Sequence, residues 1–401
     1  MKLLELFMDR ILYKRQYKRP YKRQIAALSG FAVAVCFAGG CGVSGSSGKD
    51  TSVSKGMTVS CAPETVNTGK TAQCTATGQA GTAVTWTATA GTITSSGLFT
   101  APISAAQVTV KAVDGQDSSR LGSVVVTVQV GVPLSKHVVM VMEENRSYEE
   151  VVGNTHDWSK LNGMMAQGAL PTNYYANAHF SIGNYFELTT GQTLTRDDTS
   201  TQIWDVDNIA RRMLAAGVSF RVYAEGVPRG YTGGNTGDYV IRHNPFAMLS
   251  DVAGNKDTAD EVLQPFSQFA VDAANHKLPE FSFIIPDLVH DSHSANAGIA
   301  DGWLQTYVVN LLAKDPAFQA GGDGVLMVNF DESEVTDIAN GGGHVSPVLW
   351  GPIVKSGYKQ TSSTLYQHQS MLATVMELLN LPNPLADAGT APVMTEFFVQ
   401  K

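Results

Sequence analysis

The stretch His137-Val138-Val139-Met140-Val141-Met142-Glu143-Glu144-Asn145-Arg146-Ser147 decides how the larger part of this chain is read. After the histidine come five apolar residues with no polar alternation, which predicts a strand buried on both faces of a helix-covered sheet. At Glu143 the character switches abruptly to charge. Four more stretches are candidate buried strands: Ser219–Ala224, Phe281–Ile285, Val325–Phe330 and Pro347–Trp350. Between them lie helical stretches: Asp207–Ala216 closed by Gly217, Ala259–Asn275, and Ser370–Leu379 closed by Asn380 with Pro382 beyond. This alternation over residues 134–401 predicts an α/β sandwich around a mostly parallel central sheet. In such a sheet the working site lies beyond the carboxyl ends of the strands.

What adjoins each strand is therefore informative. The first strand leads into Glu143-Glu144-Asn145-Arg146-Ser147, and Phe281–Ile285 into Pro286-Asp287-Leu288-Val289-His290-Asp291-Ser292-His293. Val325–Phe330 leads into Asp331-Glu332-Ser333-Glu334, and Gly341-Gly342-Gly343-His344 stands before Pro347. One charged loop after an apolar strand is ordinary solvation. Four that converge on one rim, in a chain with only 16% charged residues, point to a hard-metal or phosphate site. Carboxylate, amide and imidazole ligands suit Mg, Ca, Mn, Zn or Fe, and no cysteine lies beyond residue 74 to build a soft site.

Ser181-Ile182-Gly183-Asn184-Tyr185-Phe186-Glu187-Leu188-Thr189-Thr190-Gly191 reads as a short helix opening at Ser181. An isolated serine there is usually an N-cap. The same position concentrates positive potential where a phosphoryl group can dock, and a nearby cation would activate its hydroxyl.

N-terminal to this domain the texture is all β. Short alternating runs in 57–131, such as Val84-Thr85-Trp86-Thr87 and Val124-Val125-Val126-Thr127-Val128, are separated by Gly, Ser and Asp turns and predict a small sandwich. The run through Gly97-Leu98-Phe99-Thr100-Ala101-Pro102 resembles bacterial Ig-like domains. Cys61 and Cys74 fall in its first predicted strands, where a disulfide is the expected state outside the cytoplasm. Residues 42–56 read as a flexible tether of Gly, Ser, Thr and Lys. Before it, a basic segment and the apolar run Ile25 to Gly40 end in Ala38-Gly39-Gly40-Cys41, a secretory signal over residues 1–41. Its small-small-Cys end resembles the lipobox of bacterial lipoproteins, which makes Cys41 the expected lipidation site. The expected location is extracytoplasmic, either anchored to a membrane by the lipid or secreted. The first forty residues hold eight Lys/Arg and two Asp/Glu, so the formal charge of −8 conceals a remainder near −14. Such acidity excludes a general nucleic-acid binder.

Several ordered blocks resemble the bacterial phosphoesterase family, which includes acid phosphatases and non-specific phospholipases C and is alkaline-phosphatase-like in fold. They are Met142-Glu143-Glu144-Asn145-Arg146-Ser147-Tyr148, Ser181-Ile182-Gly183-Asn184-Tyr185, Arg242-His243-Asn244-Pro245-Phe246, Asp291-Ser292-His293, Phe330-Asp331-Glu332-Ser333 and Gly343-His344-Val345-Ser346-Pro347-Val348. The resemblance implies a divalent metal ion held by Glu144, Asn145, Asp331 and Glu332, with Ser181 as a nucleophile passing through a phosphoserine. It implies that Asn184 donates its amide to the phosphate. Asp291, His293 and His344 would hold a second cation or bind phosphate and leaving group, and His243 would lie in the pocket. The expected reaction is hydrolysis of a small phosphomonoester, with a phospholipase C or other phosphodiesterase as the alternative. A non-catalytic surface binding protein is the reading from another class, and the intact serine and acidic loops argue against it. Arg146 is expected to brace the Glu144 loop, and His368 to cap or pack. Asp287 and His290 read equally as support for the site or as solvated loop, while His137, His156, His179 and His276 are read as structural.

Overall fold

The computed structural model describes residues 56–382 and 385–400. The leader, Cys41 and the tether up to residue 55 lie outside the described residues. Among those described, no helix is long and apolar enough to cross a membrane.

Residues 58–129 form eight strands: β1 (Thr58–Ala62), β2 (Thr65–Asn67), β3 (Thr71–Thr77), β4 (Val84–Ala88), β5 (Thr92–Ile93), β6 (Leu98–Thr100), β7 (Ala106–Asp114) and β8 (Leu121–Gln129). They make two four-stranded sheets, ordered β1-β3-β6-β5 and β2-β8-β7-β4. Alternate residues of β1 and β7 turn inward, so Val59, Cys61, Val108 and Val110 are buried. Side chains from both sheets meet in one core around Phe99, Val110 and Val126, which is a sandwich in the physical sense. Cys61 and Cys74 stand opposite each other in the β1–β3 register and are disulfide-bonded. The bond therefore links neighbours within a sheet.

The larger sheet has eight strands: β9 (Val138–Glu143), β10 (Ala169–Leu170), β11 (Phe220–Ala224), β12 (Leu263–Pro265), β13 (Phe281–Ile285), β14 (Val325–Phe330), β15 (Val348–Trp350) and β16 (Tyr358–Lys359). Their order is β12-β11-β13-β9-β14-β15-β10-β16. The first five are mutually parallel, and β15 runs antiparallel to β14. Every residue of β9, β13 and β14 is buried, as expected of central strands covered on both faces. The carboxyl ends of these three strands thus carry Glu144, Asp291 and Asp331 to one rim, while reversed β15 offers the rim the loop that precedes it.

Helix Ile209–Ala216 is opened by Asn208, whose side chain accepts from the Arg211 N–H, and closed by left-handed Gly217. Helix His368–Leu378 ends before Asn380, also left-handed. The expected helix Ala259–Asn275 is corrected to two, Lys256–Val262 and Phe266–Ala274, with β12 between them. Pro265 supplies no N–H to a helix and clashes with the preceding turn, so Leu263–Pro265 pairs beside β11 as an edge strand.

Candidate active site

Helix Ser181–Thr190 places its first residue over the rim. Phe180, not Ser181, occupies the cap position, so the N-cap reading of this serine does not apply. The free N–H of Ile182 is instead taken by the Asp198 carboxylate at 3.1 Å. Released from capping, Ser181 Oγ donates to Glu144 Oε2 at 3.1 Å. Glu144 Oε1 accepts from the Tyr185 hydroxyl, one helical turn further along. Glu144 and Tyr185 are essentially inaccessible.

Around this pair the loops close. Asn145 adopts φ 50, which turns the chain so that its backbone N–H donates to Asp331 Oδ1 at 3.0 Å. The Glu144 N–H donates to the Asp291 carbonyl at 2.7 Å, and Ser292 Oγ donates to the Glu144 carbonyl at 2.9 Å. His243 fits between Glu144 and Asp291, with Nε2 3.3 Å from Glu144 Oε1 and Nδ1 3.4 Å from Asp291 Oδ2. Its ring stacks on Tyr185 at 5.1 Å between centroids. His293 lies at the exposed mouth, its backbone N–H on Asp291 Oδ1 and its Nε2 3.5 Å from Arg242 Nη2. Arg146 donates to the Ser292 carbonyl at 2.7 Å and so braces the loop beneath Glu144.

The electrostatics of the cluster are unfavourable as it stands. Burial, with Asp331 and Asp291 nearby, pushes the Glu144 carboxyl well above its ordinary range. Burial likewise raises Asp291 to about 8, Glu332 to about 8 and Asp331 to about 6. Burial, with Arg242 and His293 nearby, drives His243 well below an ordinary imidazole, so it stays neutral. Among the described residues Asn145 Oδ1, Asp291 Oδ2 and Asp331 Oδ2 are buried without a hydrogen-bond partner. Oxygens orphaned together at mutually repelling carboxylates suit a cation, which would supply the missing partner and the missing charge. Glu144, His243 and Asp291 bring ligand atoms within 4.8 Å of one another. A divalent ion therefore fits the donors present.

Two expected positions come out differently. Asn184 Oδ1 accepts from the N–H groups of Asn177 and Ala178, and its Nδ2 donates to the Ala178 carbonyl at 2.8 Å. It braces the loop before Ser181, with one amide hydrogen left for any phosphate. The His344 ring is stacked between Tyr148 and Tyr175, with Nε2 on the Thr172 carbonyl at 3.1 Å and Nδ1 3.5 Å from Glu149. It does not join the group around Glu144, because those aromatic neighbours hold it beside a different loop. His368 packs as expected: its Nε2 donates to the Asp331 carbonyl at 2.6 Å, fixing the β14 loop.

Tyr185 is not singled out by the sequence, and His179, read there as structural, lies beside the site. His179 Nδ1 meets Glu332 Oε2 at 2.7 Å and Nε2 meets the Asp337 carbonyl at 2.8 Å. Burial is the largest influence and opposes its protonation, but the bonds to Glu332 and the Asp337 carbonyl, with the Glu332 and Asp331 charges, together outweigh it and raise the imidazole. The pairing occupies Glu332, so this carboxylate is oriented from outside the cluster. The available signals were position alone: one residue two before the serine, the other one turn after it.

Residues 161–382 match the Phosphoesterase family. The chain is 30% identical over 270 residues to the Phosphatidylinositol-3-phosphatase of Mycobacterium tuberculosis, covering 66% of this chain and 84% of that protein. It is 30% identical to the Kluyveromyces lactis protein named Probable acid phosphatase (65% of this chain, 62% of that one). It is 29% identical to the Acid phosphatase of Aspergillus fumigatus (60% and 54%). The chain thus spans little more than half to two thirds of the fungal relatives' length. A solved alkaline phosphatase superfamily protein from Vibrio parahaemolyticus superposes with TM-score 0.45 at 14% identity, over 65% of this chain and 71% of that one. With more than half of its residues inside the family match, this chain belongs to the Phosphoesterase family.

Proposed function

We propose that this chain hydrolyses phosphate monoesters with Ser181 as nucleophile, its site completed by a divalent metal ion. The observation that carries the reading is the Ser181 Oγ to Glu144 hydrogen bond at the head of a helix, among buried oxygens that lack partners. Glu144, Asn145 and Asp331 are the residues that would hold the ion, with Glu332 and Asp291 adjoining. Bound there, the ion would stabilise the serine alkoxide and the charge on the phosphoryl oxygens. Ser181 Oγ attacks phosphorus, its proton passing toward the Glu144 carboxylate, and the bond from phosphorus to the alcohol oxygen breaks. The departing alkoxide takes its proton from solvent water at the open mouth, beside His293 and Arg242. Water then cleaves the phosphoserine to release inorganic phosphate and restore Ser181. The helix N-terminus contributes positive potential to the same oxygens.

The relatives' names support monoester chemistry: the two fungal ones are named acid phosphatase or probable acid phosphatase, and the mycobacterial one is named for a phosphate carried on a phospholipid. A phospholipid substrate is therefore the second reading; a phospholipase C or other phosphodiesterase of the same family remains the diester alternative to it. The proposed organisation is a signal over 1–41 with Cys41 lipidated, a tether over 42–56, an Ig-like domain over 57–131 and the catalytic domain over 134–401. The disulfide supports an extracytoplasmic location. The test is turnover of p-nitrophenyl phosphate by Ser181→Ala with metal supplied: loss of activity is expected, and near wild-type turnover refutes the reading.

A further inference from the structure

A second concavity opens on the same rim. It is a cleft of about 660 Å³ past the ends of β11 and β13, with Phe266, Trp303 and Tyr307 in its wall and Glu225, Asp287 and His290 on its lining. It adjoins the catalytic cluster through a single turn, because the Asp291 N–H donates to the Asp287 carbonyl at 2.9 Å. Tyr307 is half exposed there although nothing in the described chain covers it.

The three polar residues form a compact knot. His290 Nδ1 lies 2.9 Å from Glu225 Oε2 and 3.2 Å from Asp287 Oδ1. Their ligand atoms are as close as those of the catalytic group, yet their hydrogen bonding is the reverse. Glu225 Oε1 accepts from Trp303 Nε1 at 3.1 Å, and Oε2 from the Asp287 N–H at 3.1 Å. Asp287 Oδ1 accepts from the N–H groups of Val289 and His290 at 3.0 and 3.1 Å. A small hard cation would have to displace these donors to find ligands. Two carboxylates against at most one imidazolium nevertheless leave a net negative charge beside an aromatic wall. That field suits a cation needing no lone pairs, a charge spread under an apolar surface, held by the carboxylates' field and the accessible rings of Phe266 and Tyr307. Trp303 is buried against Phe266 and His290 and backs the wall.

We infer that the cleft bounded by Glu225, Asp287, Phe266, Trp303 and Tyr307 is a binding site for a small alkylammonium group, distinct from the catalytic cluster. That group can arrive on the alcohol of the ester or as a free amine. Only the first source rests on the proposed hydrolase reaction.

The experiment is calorimetric titration of the wild-type protein with choline and with its neutral isostere 3,3-dimethylbutanol, followed by kinetics with choline phosphate and 3,3-dimethylbutyl phosphate. The cation is expected to bind at least about ten-fold more tightly than the neutral isostere. Glu225→Gln and Tyr307→Ala should each weaken it several-fold, and the exposed Tyr307 keeps the test open should the Glu225 variant misfold. Equal affinity for cation and isostere, or cation affinity untouched by both variants, overturns the inference. A KM at least ten-fold lower for the cationic ester assigns the cleft to the substrate's alcohol. Equal KM values with the free cation still bound assign it to a free amine. Cation binding without hydrolysis of either ester refutes the hydrolase reading and leaves this one standing.

Discussion

Glu144, His243 and Asp291 in one place, and Glu225, Asp287 and His290 in another, are each two carboxylates and an imidazole with ligand atoms within 4.8 Å of one another. The first trio is buried and next to carboxylate and amide oxygens that have no partner. The second is half-buried, and three of its four carboxylate oxygens are spoken for by an indole, three backbone N–H groups and its own imidazole. Residue type and spacing do not separate the two; the state of the lone pairs does. Oxygens left bare in the interior cost free energy that a bound ion returns, whereas oxygens already hydrogen-bonded offer only their field.

The strongest way to break this contrast is to mutate the bare side. Asp331→Asn should lower kcat by about 10³-fold or more, comparable to the loss of a principal source of transition-state charge stabilisation. It should also abolish tight metal uptake in a titration with Mn or Mg. Glu225→Gln should leave that metal stoichiometry as it was; a shared loss would show that the two clusters are one site.

A second, smaller effect is on stability. Carboxyls raised by burial bind protons more tightly folded than unfolded, where acids titrate near about 4. For Asp331 at about 6, and Asp291 and Glu332 at about 8, the resulting stabilisation is complete below the unfolded range and lost as pH climbs through 6 and then 8. Chelator-treated protein should therefore lose Tm between pH 5 and 9. Added divalent metal should restore most at the alkaline end; a metal effect independent of pH would contradict the arrangement.

Tyr185→Phe removes the donor on Glu144 Oε1 and keeps the ring on His243. A roughly ten-fold fall in kcat is expected, the size of one hydrogen bond to a charged group at about 1.5 kcal/mol, with KM little changed. Smallest is the effect of His137→Gln, whose ring and Asp323 partner are both part-exposed and stand at the amino ends of β9 and β14, away from the rim. Exposed pairs of this kind contribute about 1 kcal/mol or less, so Tm should shift slightly and kcat not at all.

The sheet was legible in sequence because central parallel strands are uninterrupted apolar runs, and β9, β13 and β14 fall within a residue of their expected bounds. The rim was legible because charge follows each run directly. The helix at 259–275 was misread through neglect of Pro265, a local signal that was present. The freedom of Ser181 was not local: its capping job is done by Asp198, and nothing in the intervening segment announces that return. Tyr185 and His179 were equally out of reach, since each acquires its role from a partner on a distant element. His344 carried the right residue type for a ligand, and packing between two tyrosines gave its ring other work.

The reversed direction of β15 has a practical consequence for handling the molecule. Loops that follow β9, β13 and β14 meet around Glu144 and Ser181, so a cut or fusion in any of them disturbs that cluster. Chain leaving β15 departs from the opposite end of the sheet, through Gly351 to Gly357, where Ser356 and Gly357 are exposed. A reporter or affinity handle inserted at that turn would sit on the far side of the protein from Ser181.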